Sequence, residues 1–149
     1  MNKIISFDMD GTIADFYGVE NWLEKIRSFD PSPYIDAKPL LPLNQLARLL
    51  NDLQKNGYTI RIISWLSLES DAQFDALTRQ AKRRWLAQHM PSVCWDEIHL
   101  VKYGTPKHFV GAEKGGILFD DNEEIRRLWN KYGEAYEPSE ILEILRRLI

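Results

Sequence analysis

The chain has 149 residues, 44% of them hydrophobic and 28% charged, with a formal net charge of −3. That length suits one domain with a sizeable core, and the composition is that of an ordinary globular protein, not a disordered or fibrous one. The charge balance gives no reason to expect bulk nucleic-acid binding, no apolar run is long enough to span a bilayer, and the single cysteine, Cys94, excludes an internal disulfide framework. The expected setting is the reducing cytoplasm, since the first strand begins too early to leave room for a signal peptide.

In chain order, Lys3-Ile4-Ile5-Ser6-Phe7 is a short apolar run of the kind that forms a buried parallel strand. It stops at Asp8-Met9-Asp10-Gly11-Thr12, two carboxylates one residue apart followed by a turn-permitting Gly. Acids at the carboxyl end of a strand lie where open α/β sheets place their ligands, and buried carboxylates need a cationic partner or a metal. An oxygen-only pair suggests a hard cation. Residues 16–41 read as a small insertion over the mouth of the sheet. Val19, Trp22, Leu23 and Ile26 recur at helical spacing, with Phe29 extending that face. Asp30-Pro31-Ser32-Pro33 is expected to end this helix, and residues 34–41 to return irregularly.

Pro42 is placed for a first helical turn, and Leu43, Leu46, Ala47, Leu50 and Leu53 mark one apolar face. Gly57 stops that helix, and Tyr58 to Ile63 forms the second strand, ending at Ser64-Trp65. A long helix is expected over 69–89, burying Phe74, Leu77, Ala81 and Trp85, with Arg79, Lys82 and Arg83 turned outward. Glu97 to Val101 is the third strand. Thr105-Pro106 reads as a helix N-cap followed by Pro at the first helical position. Gly116-Ile117-Leu118-Phe119 is a fourth strand, and it too ends in carboxylates, Asp120-Asp121. Ile125, Leu128, Trp129 and Tyr132 form the next helical face, Glu134 to Glu137 an edge strand, and Ile141, Leu145 and Leu148 the last inward face. Strands alternating with helices imply an α/β domain with a central parallel sheet.

Four strand ends thus carry chemistry: Asp8 and Asp10, Ser64, a lysine at 102 or 107, and Asp120 with Asp121. In a parallel sheet these meet at one edge. Acids from two strands suit one Mg²⁺, Ser64 offers a hydroxyl and an N–H to a phosphate oxygen, and a lysine supplies the compensating charge.

In this order the motifs resemble those of the haloacid dehalogenase (HAD) superfamily of phosphohydrolases: Asp-x-Asp-Gly-Thr as Asp8 to Thr12, then Ser64, then a lysine, then Asp120-Asp121. A narrower likeness is to the 5′(3′)-deoxyribonucleotidases. It rests on Asp8 to Phe16, on Lys82-Arg83-Arg84-Trp85-Leu86-Ala87-Gln88-His89-Met90, and on Gly116 to Asp121. The chain departs from that pattern in a shorter insertion and in Ser64-Trp65-Leu66, which replaces a Ser/Thr-Ser-Pro type loop.

The resemblance implies a HAD-like Rossmannoid three-layer sandwich, with core 1–15 and 42–149 and a small helical cap at 16–41, all in one domain. It implies a Mg²⁺-dependent phosphomonoesterase working through an aspartyl phosphate. Asp8 would be the nucleophile and Asp10 the general acid and base. The expected metal ligands are Asp8, the Asp10 backbone carbonyl and a carboxylate of Asp120-Asp121, Asp121 directly and Asp120 directly or one shell out. Ser64 and Lys107, or Lys102 in its place, would bind phosphate. Phe16 would stack on a nucleobase or pin the insertion to the core, and Trp65 would contact substrate; Trp22 and Tyr34 lie where they would pack or touch it. The expected partner is a small phosphorylated substrate, a nucleoside monophosphate first. The alternatives are a sugar phosphate, a phosphorylated macromolecule, or a non-catalytic binding role on the same scaffold.

Overall fold

The computed structural model describes residues 2–149; Met1, included in the expected domain, lies outside them. Its central sheet has five parallel strands: β1 (Ile4–Phe7), β4 (Thr59–Trp65), β5 (Glu97–Val101), β6 (Ile117–Phe119) and β7 (Glu134–Tyr136). Their order across the sheet is β5-β4-β1-β6-β7. The first acid motif therefore lies on the central strand, with the serine strand on one side and the second acid motif on the other. Two short segments, β2 (Ala14–Asp15) and β3 (Lys38–Pro39), pair antiparallel at the two ends of the insertion.

Both faces of the sheet are covered, as parallel sheets require. Ile5, Phe7, Ile60, Ile62 and Phe119 point to one face and join the main core with α3 (Leu43–Lys55), α4 (Ala72–His89) and α6 (Ile141–Arg147). Ile63 and Leu118 point to the other and pack on Trp129 of α5 (Glu123–Trp129). In α3 the expected stripe from Leu43 to Leu53 is buried. The helix closes at Gly57, whose φ of 91° suits a residue without Cβ.

Four local expectations change. The stretch 16–41 is not one helix and a coil: a 3₁₀ turn (Phe16–Gly18) leads into α1 (Trp22–Arg27), and Ser32–Asp36 forms a second helix, α2. Pro33 lies in the first turn of α2, where its missing N–H costs nothing, so the prolines that end one helix also start the next. Phe29 leaves the helix with φ 58° and stacks on Phe74 at 5.0 Å. Thr105-Pro106 opens only a 3₁₀ turn, Lys107–Phe109, because the Thr105 hydroxyl donates back to the Lys102 carbonyl at 2.6 Å and Pro106 is extended. Tyr132 lies beyond the end of α5 and is exposed.

The fourth change matters most. The buried face of α4 is Phe74, Thr78, Ala81, Lys82, Trp85 and Leu86, while Leu77 is 39% exposed. Lys82, expected to face solvent, is 1% exposed. It stands one turn from Thr78 and one from Leu86, on the i, i+4 stripe.

Candidate active site

The carboxyl ends of β1, β4 and β6 open on a cavity of about 380 Å³. Its floor is built by the turn after β1. The Gly11 N–H donates to the Ala14 carbonyl at 2.8 Å, and the N–H groups of Thr12, Ile13 and Ala14 all donate to the Met9 carbonyl. Gly11 has φ 78°, and a Cβ there would run into the Asp121 carboxylate, so glycine lets the two acid motifs close on each other.

Asp8 is 6% exposed and both its oxygens are held: Oδ1 accepts from Lys107 Nζ at 3.0 Å and Oδ2 from the Thr12 hydroxyl at 3.0 Å. Lys107 also donates to Asp120 Oδ2 at 2.7 Å. Asp120 accepts the Asn122 N–H on its other oxygen at 3.0 Å, and its backbone carbonyl accepts from Arg126 at 2.9 Å. Of the two lysines left open by the sequence, Lys107 is buried in this cluster and Lys102 is exposed. Asp121 stands on the open side. Carboxylate oxygens of Asp8, Asp120 and Asp121 lie within 4.8 Å of one another.

Asp10 turns away from this triad. Its Oδ2 accepts from Lys82 Nζ at 3.0 Å. Lys82 also donates to Ser64 Oγ at 2.7 Å and to the Trp65 carbonyl at 2.8 Å, so the serine hydroxyl and Asp10 share one ammonium. The Tyr34 ring lies 5.0 Å from that nitrogen.

Among the rings, Trp65 forms part of the wall, its indole N–H bound to the Thr105 carbonyl at 2.8 Å and its face 4.8 Å from Tyr103. Phe16 also borders the cavity but is 4% exposed. It stacks on Tyr34 at 4.7 Å and packs, tilted, on Trp22 at 5.2 Å. Trp22 and Tyr34 line the same wall. Lys82, named in the sequence only within a helix motif and expected to face outward, is the buried charge beside the site that the sequence did not place there. Its signal was the register of α4, three residues before the buried Trp85.

The electrostatics follow from crowding. Burial raises the Asp10 carboxyl above its ordinary range, with Lys82 opposing and Asp8 adding to the shift. Burial and then the Asp8 charge lift Asp120 to about 6 and Asp121 to about 8. Burial alone would lower Lys107, but Asp8 and Asp120 outweigh it and hold its ammonium above the ordinary range. Four carboxyl groups thus face two lysines, and the triad offers oxygen donors alone. A hard divalent cation fits that donor set and that charge deficit.

A pH dependence follows. Asp120 and Asp121 keep protons in the folded protein that the unfolded chain, near 3.8, has lost. Their contribution to stability is full below the unfolded value and is lost as pH rises through about 6 and about 8. Metal-free protein should therefore show a falling melting temperature across that interval. Mg²⁺ competes with those protons, so it should raise the melting temperature most at the alkaline end. A melting temperature indifferent to both pH and Mg²⁺ would remove the triad as a metal site.

Five parallel strands flanked by helices, with the acid motif on the central strand, define a HAD-like Rossmannoid α/β fold. Solved structures that share it include two phosphatases. One is a D,D-heptose 1,7-bisphosphate phosphatase from Burkholderia thailandensis (TM-score 0.58, 12% identity, covering 99% of this chain and 98% of that one). The other is a D,D-heptose 1,7-bisphosphate phosphatase from B. bronchiseptica, complexed with magnesium and phosphate (TM-score 0.55, 14% identity, all of both chains). At that identity the likeness is one of fold. No family model and no curated protein matches the sequence. No helix among the described residues is long and apolar enough to cross a membrane.

Proposed function

We propose that this protein is a Mg²⁺-dependent phosphomonoesterase that works through an aspartyl phosphate on Asp8. The observation that carries the reading is the bridge of Lys107 between Asp8 and Asp120, with the Asp121 carboxylate alongside, on the floor of an open cavity. The fold shared with two phosphatases, one of them holding magnesium and phosphate, supports it.

In this mechanism Asp8, Asp120 and Asp121, with the Asp10 carbonyl, would hold the cation, which when bound would offset the repulsion between the Asp8 carboxylate and the phosphate dianion. Asp8 attacks phosphorus in line as the bond to the leaving oxygen breaks. Asp10, whose carboxyl burial raises above its ordinary range, gives its proton to that oxygen. It then takes a proton from the water that attacks the aspartyl phosphate, releasing inorganic phosphate and the Asp8 carboxylate. Lys107 and the Ser64 hydroxyl meet the phosphoryl oxygens, and Thr12 keeps the carboxylate of Asp8 from rotating.

The substrate is small, because the cavity holds about 380 Å³. Its wall favours a nucleoside monophosphate as first choice: the rings of Tyr17, Trp22, Trp65 and Tyr103 all border it, and planar bases stack on aromatic rings. In this reading those rings, and not Phe16, meet the base. Phe16 pins the segment 16–41, a cap on the 1–15 and 42–149 core, to α4. A sugar phosphate is the second reading, favoured by the activity named for the two structural neighbours. Phosphate release should be measured with Mg²⁺ from p-nitrophenyl phosphate, deoxy- and ribonucleoside monophosphates, and hexose and heptose phosphates. The expected result is turnover of all classes of good leaving group and the highest kcat/KM for a nucleotide. Highest kcat/KM for a sugar phosphate would replace the first choice by the second, and no Mg²⁺-dependent turnover of any ester would overturn the phosphatase reading.

A further inference from the structure

We infer that Lys82 is a positioning residue that sets two catalytic elements at once: it aims the Asp10 carboxyl at the leaving group and turns the Ser64 hydroxyl into a phosphate donor. The inference rests on the phosphatase reading above.

An ammonium has three hydrogens, and Lys82 commits all three. They go to Asp10 Oδ2 at 3.0 Å, Ser64 Oγ at 2.7 Å and the Trp65 carbonyl at 2.8 Å. None is left for a substrate oxygen, and at 1% exposure Lys82 is not a phosphate ligand. Its action is indirect. Ser64 Oγ accepts from Lys82, so its own hydrogen must point elsewhere, and it donates to no group among the described residues. Ser64 is fully buried at the end of β4, beside the Asp8 strand and one residue before Trp65 of the cavity wall, so in this reading its hydrogen meets a phosphoryl oxygen only once phosphate is seated against the strand ends. Asp10 is tied through one oxygen only, which keeps it apart from the Asp8, Asp120 and Asp121 triad and leaves its other oxygen to meet the leaving group.

The anchor itself is rigid. Lys82 projects from the middle of the eighteen-residue α4, fixed between the buried Thr78 and Leu86. The Tyr34 ring packs against its nitrogen at 5.0 Å, and the Tyr34 hydroxyl is hydrogen-bonded to Ser67 at 2.6 Å. Displacing a positioned group by about an ångström can cost roughly a hundredfold in rate.

Two esters of the same shape separate the roles. p-Nitrophenolate leaves without a proton, whereas phenolate departs far more readily when one is supplied. Lys82→Met should lower kcat/KM for both esters through Ser64, and lower it a further roughly tenfold or more for phenyl phosphate through Asp10. Ser64→Ala should lower both equally, and Asp10→Asn should show the selective loss. Circular dichroism and melting temperature check the fold. If Lys82→Met does not fold, Asp10→Asn/Lys82→Met removes both charges and leaves no orphaned carboxylate. It should show the same ratio between the two esters as Asp10→Asn alone. Equal losses on both esters in folded Lys82→Met, or a further change of ratio in the double variant, would overturn the assignment while leaving the phosphatase reading intact. Failure of the unaltered protein to hydrolyse p-nitrophenyl phosphate with Mg²⁺ would overturn that reading and this inference with it.

Discussion

Asp8→Asn is expected to abolish turnover and leave the fold standing. The amide is isosteric: its oxygen still accepts from Lys107, and its NH2 can donate to the Thr12 hydroxyl, which now accepts, but the attacking carboxylate is gone. Loss of a nucleophile costs at least roughly 10⁴-fold in kcat by comparison with other covalent enzymes. Stability should move the other way. The Asp8 charge helps raise both Asp120 and Asp121, so removing it relieves repulsion in metal-free protein. An inactive variant with an unchanged or higher melting temperature is the expected pair of results. Acid quench of a reaction with ³²P-labelled substrate should label the peptide containing Asp8 in the unaltered protein only. Turnover by Asp8→Asn near the unaltered rate would remove the aspartyl phosphate from the mechanism.

Lys107→Met should cost both activity and stability. The residue is 3% exposed and its two ion pairs, at 3.0 Å and 2.7 Å, are the compensation for Asp8 and Asp120. Breaking a buried pair by removing one partner costs roughly 3–5 kcal/mol. At about 2–4 °C per kcal/mol for a chain of this size, that is a fall of roughly 6–20 °C in melting temperature. The penalty has a sign in pH. Asp120, already raised to about 6, loses the cation that was lowering it and rises further. Below that value its carboxyl is protonated and the loss is smaller; above it the loss is full. Mg²⁺ should restore much of the melting temperature by supplying positive charge, but not the turnover, since a phosphoryl oxygen still lacks its ammonium. A Lys107→Met variant as stable as the unaltered protein in alkaline metal-free buffer would show that the bridge does not compensate the acids.

The strands and the polar residues at their ends were legible in the sequence because both are local. Ile4 to Phe7, Tyr58 to Ile63 and Gly116 to Phe119 are short apolar runs with stops, and a buried parallel strand has little other way to be written. Asp8, Asp10, Ser64, Asp120 and Asp121 follow those stops directly, so naming the strands named one sheet edge. The stripe of α3 was equally plain, since five apolar residues at helical spacing admit one buried face. The interior of 16–41 was less so, because Ser32-Pro33 reads as a stop from its N-terminal side and as a start from its C-terminal side.

Only the tertiary structure decided which charges are buried. On its own helix Lys82 is one of three consecutive basic residues, and a solvated lysine is the cheaper state. What reverses that is Asp10, 72 positions away, which repays the desolvation once β1 and α4 meet. Lys107 is chosen over Lys102 in the same way, by acids from two different strands, one of them 99 positions distant. Phe16 lies beside the acid motif in sequence, yet one face is stacked on Tyr34 and Trp22 packs against it at a tilt, partners that local pattern could place on an insertion but not against that ring. Periodicity assigns a residue to a face of its own element; what lies opposite that face, and so whether a charge there is paired or wet, depends on contacts that form only when distant segments pack.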